Sequence, residues 1–493
     1  MPQGLGVNGV VSWGLRLAGA MAKRGWRVVV AAHREPQGHA RVDHDLQAGV
    51  KLADLRNLPP IDAPGEPLAP VVEAYRTALE SLGWSREQPA IVLPSLEANC
   101  YAAVAALAST HGDQVRVIGW QHSDNPFDAA MLQNYEPMLS AVACVSEHIT
   151  TKLRERLPWR AADVHHIPYG VEPGAPPEPR EQRPIELIYP GRMEHEARRV
   201  GVLCEVAQLL HDDGVPHRFT LIGDGPAAAE VDQRLEALPN ARRIDGLPRS
   251  QLRPKIAAAD VLLLTSRYEG LNVAMLEAMA SGVMPVVTRV ESGAAEAIEH
   301  GVSGLLIEAG YHEDEHAIAR RMADAIASLA SDRTMLDAMR AVAYERATQR
   351  YTLDVHGEAC EQIFRGVLAP EPRWWPLDRP CTLTSTHATI LSGSVPPDAA
   401  ERAAKALANI EGPIAIYGAG RHTLAIAEVL AHAEVACVID DDPKSRGTTL
   451  WGWPVVGPDR VSPEMTVLIS SFIHQRTMEE RVRERGRQSI TLY

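Results

Sequence analysis

Glu269 and Glu277 stand in the stretch YEGLNVAMLEAMA, directly after the apolar run AADVLLLTS. The run reads as a strand, and Gly270 allows the tight turn that starts a helix near Leu271 or Asn272. The free N–H groups and the dipole at such a start attract an anion, and a diphosphate suits them. At 3.6 residues per turn, Glu277 falls about two turns beyond Glu269. The two carboxylates can then reach different ends of one bound molecule. The plain alternative is a loop acid followed by a solvated helix acid. Against it stand the apolar surroundings of Glu277, in VAMLEAMASGVMPVV.

Other candidates lie at the ends of other apolar runs. Arg192 follows the run at residues 185–189, with Arg198 and Arg199 shortly after. A guanidinium fork binds phosphate oxygens in pairs, although arginines also cluster on plain surfaces. His122 ends the run at residues 115–120. The carboxyl end of a strand faces the ligand crevice in doubly wound sheets, so a histidine there is a candidate. Gly223 and Gly225 sit in a β-to-α turn, IGDGP, and Gly9 closes the loop GLGVNG.

EGLNVAMLEAMASG resembles the E-x7-E signature of the retaining GT-B enzymes of glycosyltransferase family 4. The resemblance spans roughly residues 7–368. It implies two facing Rossmann-like domains and transfer of a sugar from a nucleotide-diphosphate donor to a hydroxyl, with anomeric configuration retained and no cofactor required. By the same resemblance Glu269 lies at the donor sugar with His122 beside it, and these two are the catalytic candidates. Glu277 contacts the nucleotide ribose. Gly270, Leu271 and Asn272 supply contacts to sugar hydroxyls and phosphate, and Gly9 lets backbone approach phosphate and acceptor. Arg192 matches the family's G-R; the usual lysine beyond it is replaced, with Arg198 as its positional equivalent. These cations hold the diphosphate. A front-face substitution is implied, in which the leaving phosphate helps deprotonate the acceptor. Weaker likenesses give Glu296 in SGAAE a structural role, Ser146 in VSEH an N-cap role, and the turn IPYGVE a place before the interdomain linker.

Positioning these residues takes alternating strands and helices, the rhythm of parallel α/β sheets. Strands are expected at residues 26–32, 90–94, 115–120, 141–145 and 164–167, with a helix from near Val11 to Gly25. A Pro-rich break at residues 173–184 separates these from a second set at 185–189, 218–222, 261–265, 284–288 and 305–307. The fold class is therefore α/β: a first lobe at 1–180 on the acceptor side, a second at 181–368 on the donor side, a linker at 369–398, and a small nucleotide-fold module at 399–493. The loop before Gly9 lacks the strand that should precede it. That strand is central in a doubly wound sheet, and its loss exposes neighbouring edges. The expectation is that the true start lies upstream of Met1.

In the last module, IAIYGAGRHT is strand, glycine turn and helix, and VACVID ends in Asp440. Gly418, Gly420 and Asp440 are nucleotide-binding candidates near the spacing of a dinucleotide fingerprint, though Thr423 replaces its third glycine. Arg476, Arg481, Arg483, Arg485 and Arg487 read as a solvated basic face. The net charge of −14 disfavours nucleic acid as a partner. The six scattered cysteines and the paired His165 and His166 make no metal set, and a reducing cytoplasm fits the cysteines. No apolar run reaches membrane-spanning length, which leaves peripheral membrane contact open. The expected partners are a nucleotide sugar and a carbohydrate or lipid-linked acceptor, as in surface polysaccharide synthesis. Two competing readings remain: a sugar-nucleotide-binding scaffold without transfer activity, and a C-terminal module acting as a separate NAD-binding unit.

Overall fold

A computed structural model describes residues 1, 4–5, 9–34, 46–58, 61, 68–94, 98–124, 126–180, 183–195, 197–310, 313–381, 399–408, 410, 412–420, 422–423, 426–443, 445–450, 452–471 and 475–492. Two compact units divide the chain, Met1–Thr382 and Leu383–Tyr493.

The larger unit holds two lobes. The first carries β1 (Val28–Ala32), β2 (Val50–Asp54), β3 (Ala90–Val92), β4 (Val115–Gln121), β5 (Leu139–Cys144) and β6 (Val164–His166). Its strands form two separate parallel groups, β1-β2 and β3-β4-β5-β6. The helix Gly9–Lys23 buries Trp13, Leu17 and Met21, one per turn on the face it turns inward. Gly25 at φ +87° closes it, a conformation that glycine adopts without steric cost.

The second lobe carries β7 (Ile185–Pro190), β8 (His217–Ile222), β9 (Ala241–Ile244), β10 (Val261–Leu264), β11 (Met284–Arg289) and β12 (Leu305–Glu308). They make one parallel sheet in the order β12-β11-β10-β7-β8-β9. All four residues of β10 are buried, as expected of a parallel strand covered on both faces. Successive connections leave β7 in one direction and β10 in the other. The crevice at the carboxyl ends of these two strands is therefore where a doubly wound sheet binds its ligand.

The last helix of this part, Leu353–Gly366, packs on the first lobe rather than the second. His356 accepts a hydrogen bond from the Trp13 indole (2.9 Å), and Arg116 donates to the carbonyl of Val367 (3.1 Å). Residues 369–381 follow the same surface, where Trp375 is buried and donates to the Arg379 carbonyl (3.0 Å). The rest of the stretch expected as a linker, 382–398, lies outside the described residues.

Several boundaries differ from expectation by a few residues. The first strand starts at Val28, not at Trp26. The helix after Gly270 starts at Val273, because Asn272 is its cap and its side chain accepts from the Met275 amide. β2 and β9 were not anticipated.

The smaller unit carries β13 (Ile414–Tyr417), β14 (Val435–Ile439), β15 (Thr449–Leu450), β16 (Trp453–Val456), β17 (Thr466–Ile469) and β18 (Ser489–Thr491). Its sheet runs β15-β16-β14-β13-β17-β18, parallel except for the β15-β16 hairpin. The arginines near its end are not all solvated. Arg487 donates to the carbonyls of Pro458 (2.9 Å) and Val461 (2.7 Å), and Arg481 pairs with Asp441. The Arg476 side chain lies outside the described residues.

Candidate active site

The crevice between β7 and β10 opens into a cleft of about 1570 Å³ lined by both lobes. Two glycines bring the backbone together at its floor. A Cβ on Gly223 would stand 2.0 Å from the Gly191 carbonyl, and one on Gly225 would stand 2.3 Å from that of Met193. These turns lock: the Gly191 amide donates to Ile222 and the Met193 amide to Asp224. Arg192 thereby leaves the end of β7 into solvent, its side chain 67% exposed and its Nε 3.4 Å from Glu194.

Arg198 is held from behind. The Thr265 hydroxyl, at the end of β10, donates to the Arg198 carbonyl (2.7 Å). Arg199 takes the left-handed conformation at φ 46° and is buried, with its guanidinium donating to the Gly310 carbonyl (2.7 Å). A structural role thus falls to Arg199, while Arg198 turns into the cleft. There it pairs with Glu269 and donates to the Ser266 hydroxyl (3.0 Å). Glu269 also accepts from Ser266 (3.0 Å) and from the Asn272 amide (2.9 Å). Three neighbours thus fix one carboxylate beside one guanidinium.

Glu277 is 9% exposed, which rules out the solvated alternative. Its carboxylate accepts from Arg16 (3.0 Å), on the first lobe's helix Gly9–Lys23, and from Arg249 (3.1 Å). Arg249 and Arg253 both turn to Glu172 as well. Burial lowers the Arg16 pKa, opposed by the attraction of Glu277. Arg16, Arg249, Arg253 and Glu172 were not singled out from the sequence. Arg16 had one local signal, a charge inside the apolar segment GVVSWGLRLAGAMA.

His122 comes from the first lobe. Its Nδ1 lies 2.6 Å from the Tyr169 hydroxyl, and its ring packs edge-on against Trp13, centroids 4.7 Å apart. Burial pushes its pKa down to about 3, with His356 adding a smaller push, so the ring is neutral at pH 7. The lobes meet at Gly270, where a Cβ would stand 2.1 Å from the His122 carbonyl. Leu271 is buried behind this contact, and Gly293 donates to the Gly270 carbonyl (2.6 Å). Glu296 makes a second bridge, accepting from the Glu147 amide at 2.6 Å. That amide opens the helix Glu147–Arg156, which Ser146 caps by accepting from Ile149 (3.3 Å). Gly9 lines the cleft at the first turn of its helix, where a Cβ would meet no atom within 4 Å. Gly6, Val7 and Asn8 lie outside the described residues. The structure thus gathers His122, Arg192, Arg198, Glu269, Leu271, Asn272, Glu277 and Gly9 around one cleft, with Gly270 at the lobe contact.

In the smaller unit Gly418, at φ +117°, turns the chain after β13, and its amide donates to Ile439 (2.9 Å). Asp440 accepts from the amides of Ala419 (3.3 Å) and Asp442 (2.8 Å), so its carboxylate ties the glycine turn to β14. Gly420 is open, with nothing within 4 Å of a Cβ. His422 and Thr423 both meet the Ser470 hydroxyl, at 2.9 and 2.8 Å. Among the described residues no three His, Cys, Asp or Glu side chains gather as a metal set, and no helix is long and apolar enough to cross a membrane.

Comparison with known proteins agrees with the architecture. Residues 7–174 match the family Glycosyltransferase Family 4, and residues 184–332 match Glycosyl transferases group 1. The putative colanic acid biosynthesis glycosyltransferase WcaL of Salmonella typhimurium is 33% identical over 150 residues, 29% of this chain and 36% of that one. A GDP-mannose-dependent alpha-(1-6)-phosphatidylinositol monomannoside mannosyltransferase of Mycobacterium tuberculosis is 26% identical over 305 residues, 57% of this chain and 75% of that one. The matches to WcaL and to AmsK of Erwinia amylovora each take in 36% of the relative's length. Among solved structures, sucrose-phosphate synthase from Thermosynechococcus elongatus aligns with a TM-score of 0.58 at 17% identity, covering 74% of this chain and 94% of that one. Anabaena HepE in complex with UDP and glucose aligns with a TM-score of 0.55 at 16% identity, covering 73% and 96%. Two lobes of parallel sheet, matched in turn by the two family descriptions, place this chain among the glycosyltransferase family 4-like proteins of GT-B fold.

Proposed function

We propose that the chain is a retaining glycosyltransferase that moves a sugar from a nucleotide-diphosphate donor to a hydroxyl of a carbohydrate or lipid-linked acceptor, in the cytoplasmic part of surface polysaccharide synthesis. One observation carries the reading: Arg192, Arg198, Glu269 and Glu277 converge from the carboxyl edge of the second sheet on a cleft whose opposite wall presents His122. The donor diphosphate lies against Arg192 and Arg198. Its nucleoside extends toward Glu277, and its sugar toward Glu269, Asn272 and His122. Negative charge grows on the diphosphate as the anomeric bond breaks. The two guanidiniums stabilise that charge. Arg198 then exchanges part of its contact with Glu269 for phosphate, which frees that carboxylate for sugar hydroxyls. The departing phosphate takes the acceptor proton from the same face, and neutral His122 hydrogen-bonds the sugar. In this reading arginines and amides carry the phosphate charge and no cofactor takes part.

The relatives point to both uridine and guanosine donors. HepE is solved with UDP and UDP-glucose, and the mycobacterial mannosyltransferase is GDP-mannose-dependent. A panel of nucleotide sugars scored by thermal shift tests the reading, followed by nucleoside diphosphate release with and without acceptor. One donor is expected to raise the unfolding midpoint, and Arg192→Met is expected to weaken that shift. Absence of any shift at millimolar donor would overturn the proposal. Binding without acceptor-dependent release would instead mark a sugar-nucleotide-binding scaffold.

A further inference from the structure

Arg16 is a costly residue where it stands. Its helix, Gly9–Lys23, turns Trp13, Leu17 and Met21 inward, yet Arg16 too is only 6% exposed. Burial works against its charge, and its Nη2 is sealed from water with no hydrogen-bond partner. A buried ion pair is often replaced by apolar side chains with no loss of stability. Packing therefore gives no reason for an arginine here, and the reason lies in what its guanidinium holds.

That guanidinium is firmly aimed. Its Nε donates to the Ser12 carbonyl one turn back (3.2 Å). Trp13 pins the same turn of helix, through its bond to His356 (2.9 Å) and its ring contact with Trp120, centroids 4.5 Å apart. From this base Nη1 crosses to the second lobe and donates to Glu277 Oε1 (3.0 Å). Arg249 Nε donates to the same oxygen (3.1 Å), and its Nη1 reaches Glu172 (3.3 Å). Oε1 is thus taken from both lobes. Oε2 accepts from no described residue and is not sealed from water. The last torsion of a glutamate is soft by itself, but two guanidiniums on one oxygen fix it. Oε2 is therefore held as the open acceptor of a residue that lines the cleft.

An ionised carboxylate oxygen accepts hydrogen bonds and donates none, so it selects a hydroxyl over a bare carbon. We infer that Arg16 is a positioning residue for nucleoside recognition: from the first lobe it fixes Glu277 together with Arg249, and so makes that carboxylate select a ribose with free hydroxyls. The inference rests on the placement of the nucleoside at Glu277 proposed above. It adds that the nucleoside end of the site is complete only when the first lobe is in place.

The test titrates the full chain with UDP and GDP and with their 2′,3′-dideoxy forms. For at least one base the parent is expected to bind the ribose form about tenfold or more tightly than the dideoxy form, the worth of a hydrogen bond to a charged group. Arg16→Met is expected to bring that ratio down to about two while changing dideoxy affinity less than about twofold. Arg16→Lys can still donate to Oε1 and is expected to recover most of the ratio. Equal weakening of both forms by Arg16→Met would overturn the inference, because a loosened contact between lobes does not distinguish the sugars. An unchanged ratio would overturn it as well. Should Arg16→Met fail to fold, Arg16→Gln carries the same comparison: its uncharged amide is expected to lower the ratio, and an unchanged ratio counts against the inference. Glu277→Gln separates the two levels. A ratio lost in Glu277→Gln but kept in Arg16→Met overturns this inference alone. A ratio kept in Glu277→Gln puts the ribose elsewhere and overturns the placement beneath it. Failure of both UDP and GDP to bind the parent overturns the two together.

Discussion

The second lobe is a six-stranded parallel sheet; among the described residues the first is split into a pair and a group of four. This difference shows in how each lobe holds its functional residues. In the second, partners come from the same strand ends: Thr265 fixes Arg198, and Ser266 and Asn272 fix Glu269. In the first, His122 is held by an aromatic group from distant parts of the chain, namely Trp13, Tyr169 and His356. An intact sheet presents its loops in a set geometry. A divided one depends on side-chain packing, including a helix returned from the far side of the second lobe.

Substitutions test this contrast. The largest effect is expected at Gly223, where an added Cβ meets the Gly191 carbonyl at 2.0 Å. Gly223→Ala should cost about 3 kcal/mol or more, measured by urea unfolding, because neither backbone can yield without breaking the paired turns that follow β7 and β8. Arg16→Met comes next. It leaves Glu277 with Arg249 alone and should cost about 2 kcal/mol. Combination with Glu277→Gln should cost less than the sum of the two single changes, because the pair is coupled. Additive costs would show that the lobes are not tied at this point.

Acid should widen the gap between the lobes, since it acts mainly on the first. Burial pushes His33 and His122 down to about 3 and His356 to about 4. Each folded pKa lies below the unfolded value of about 6.5, so between these limits the unfolded chain binds more protons. The stabilisation is complete above pH 6.5 and is lost as pH falls toward 4. From pH 6.5 to 5.5 each of these histidines should remove about 1 kcal/mol. His356→Gln should flatten the slope of the urea midpoint against pH by that share; an unchanged slope would place the titration elsewhere. The smallest effect on stability belongs to Arg192, whose side chain is 67% exposed. Arg192→Met should leave unfolding within about 0.5 kcal/mol of the parent while weakening donor binding about tenfold in a titration.

Strand positions were readable where strands are central and apolar, as at β4, β7 and β10. β2 and β9 escaped because charge interrupts their short runs, VKLAD and ARRI. Edge strands are short and carry charge, as the two arginines in ARRI show, and so lose the apolar run that marks a strand. Glu269, Glu277, Arg192 and Arg198 were legible because each sits at a fixed distance from a strand end, and local spacing encodes that.

Local pattern therefore sufficed for the α/β class, the two lobes, and the strand ends that carry the candidate site. Folding in three dimensions was needed to reveal that Arg198 meets Glu269 and that Glu277 is shared by Arg16 and Arg249. The same holds for the return of the helix Leu353–Gly366 to the first lobe. The physical reason is range. Hydrophobic periodicity and turn chemistry act over a few neighbours, whereas an ion pair across 261 residues forms only after helices of the two lobes have come together.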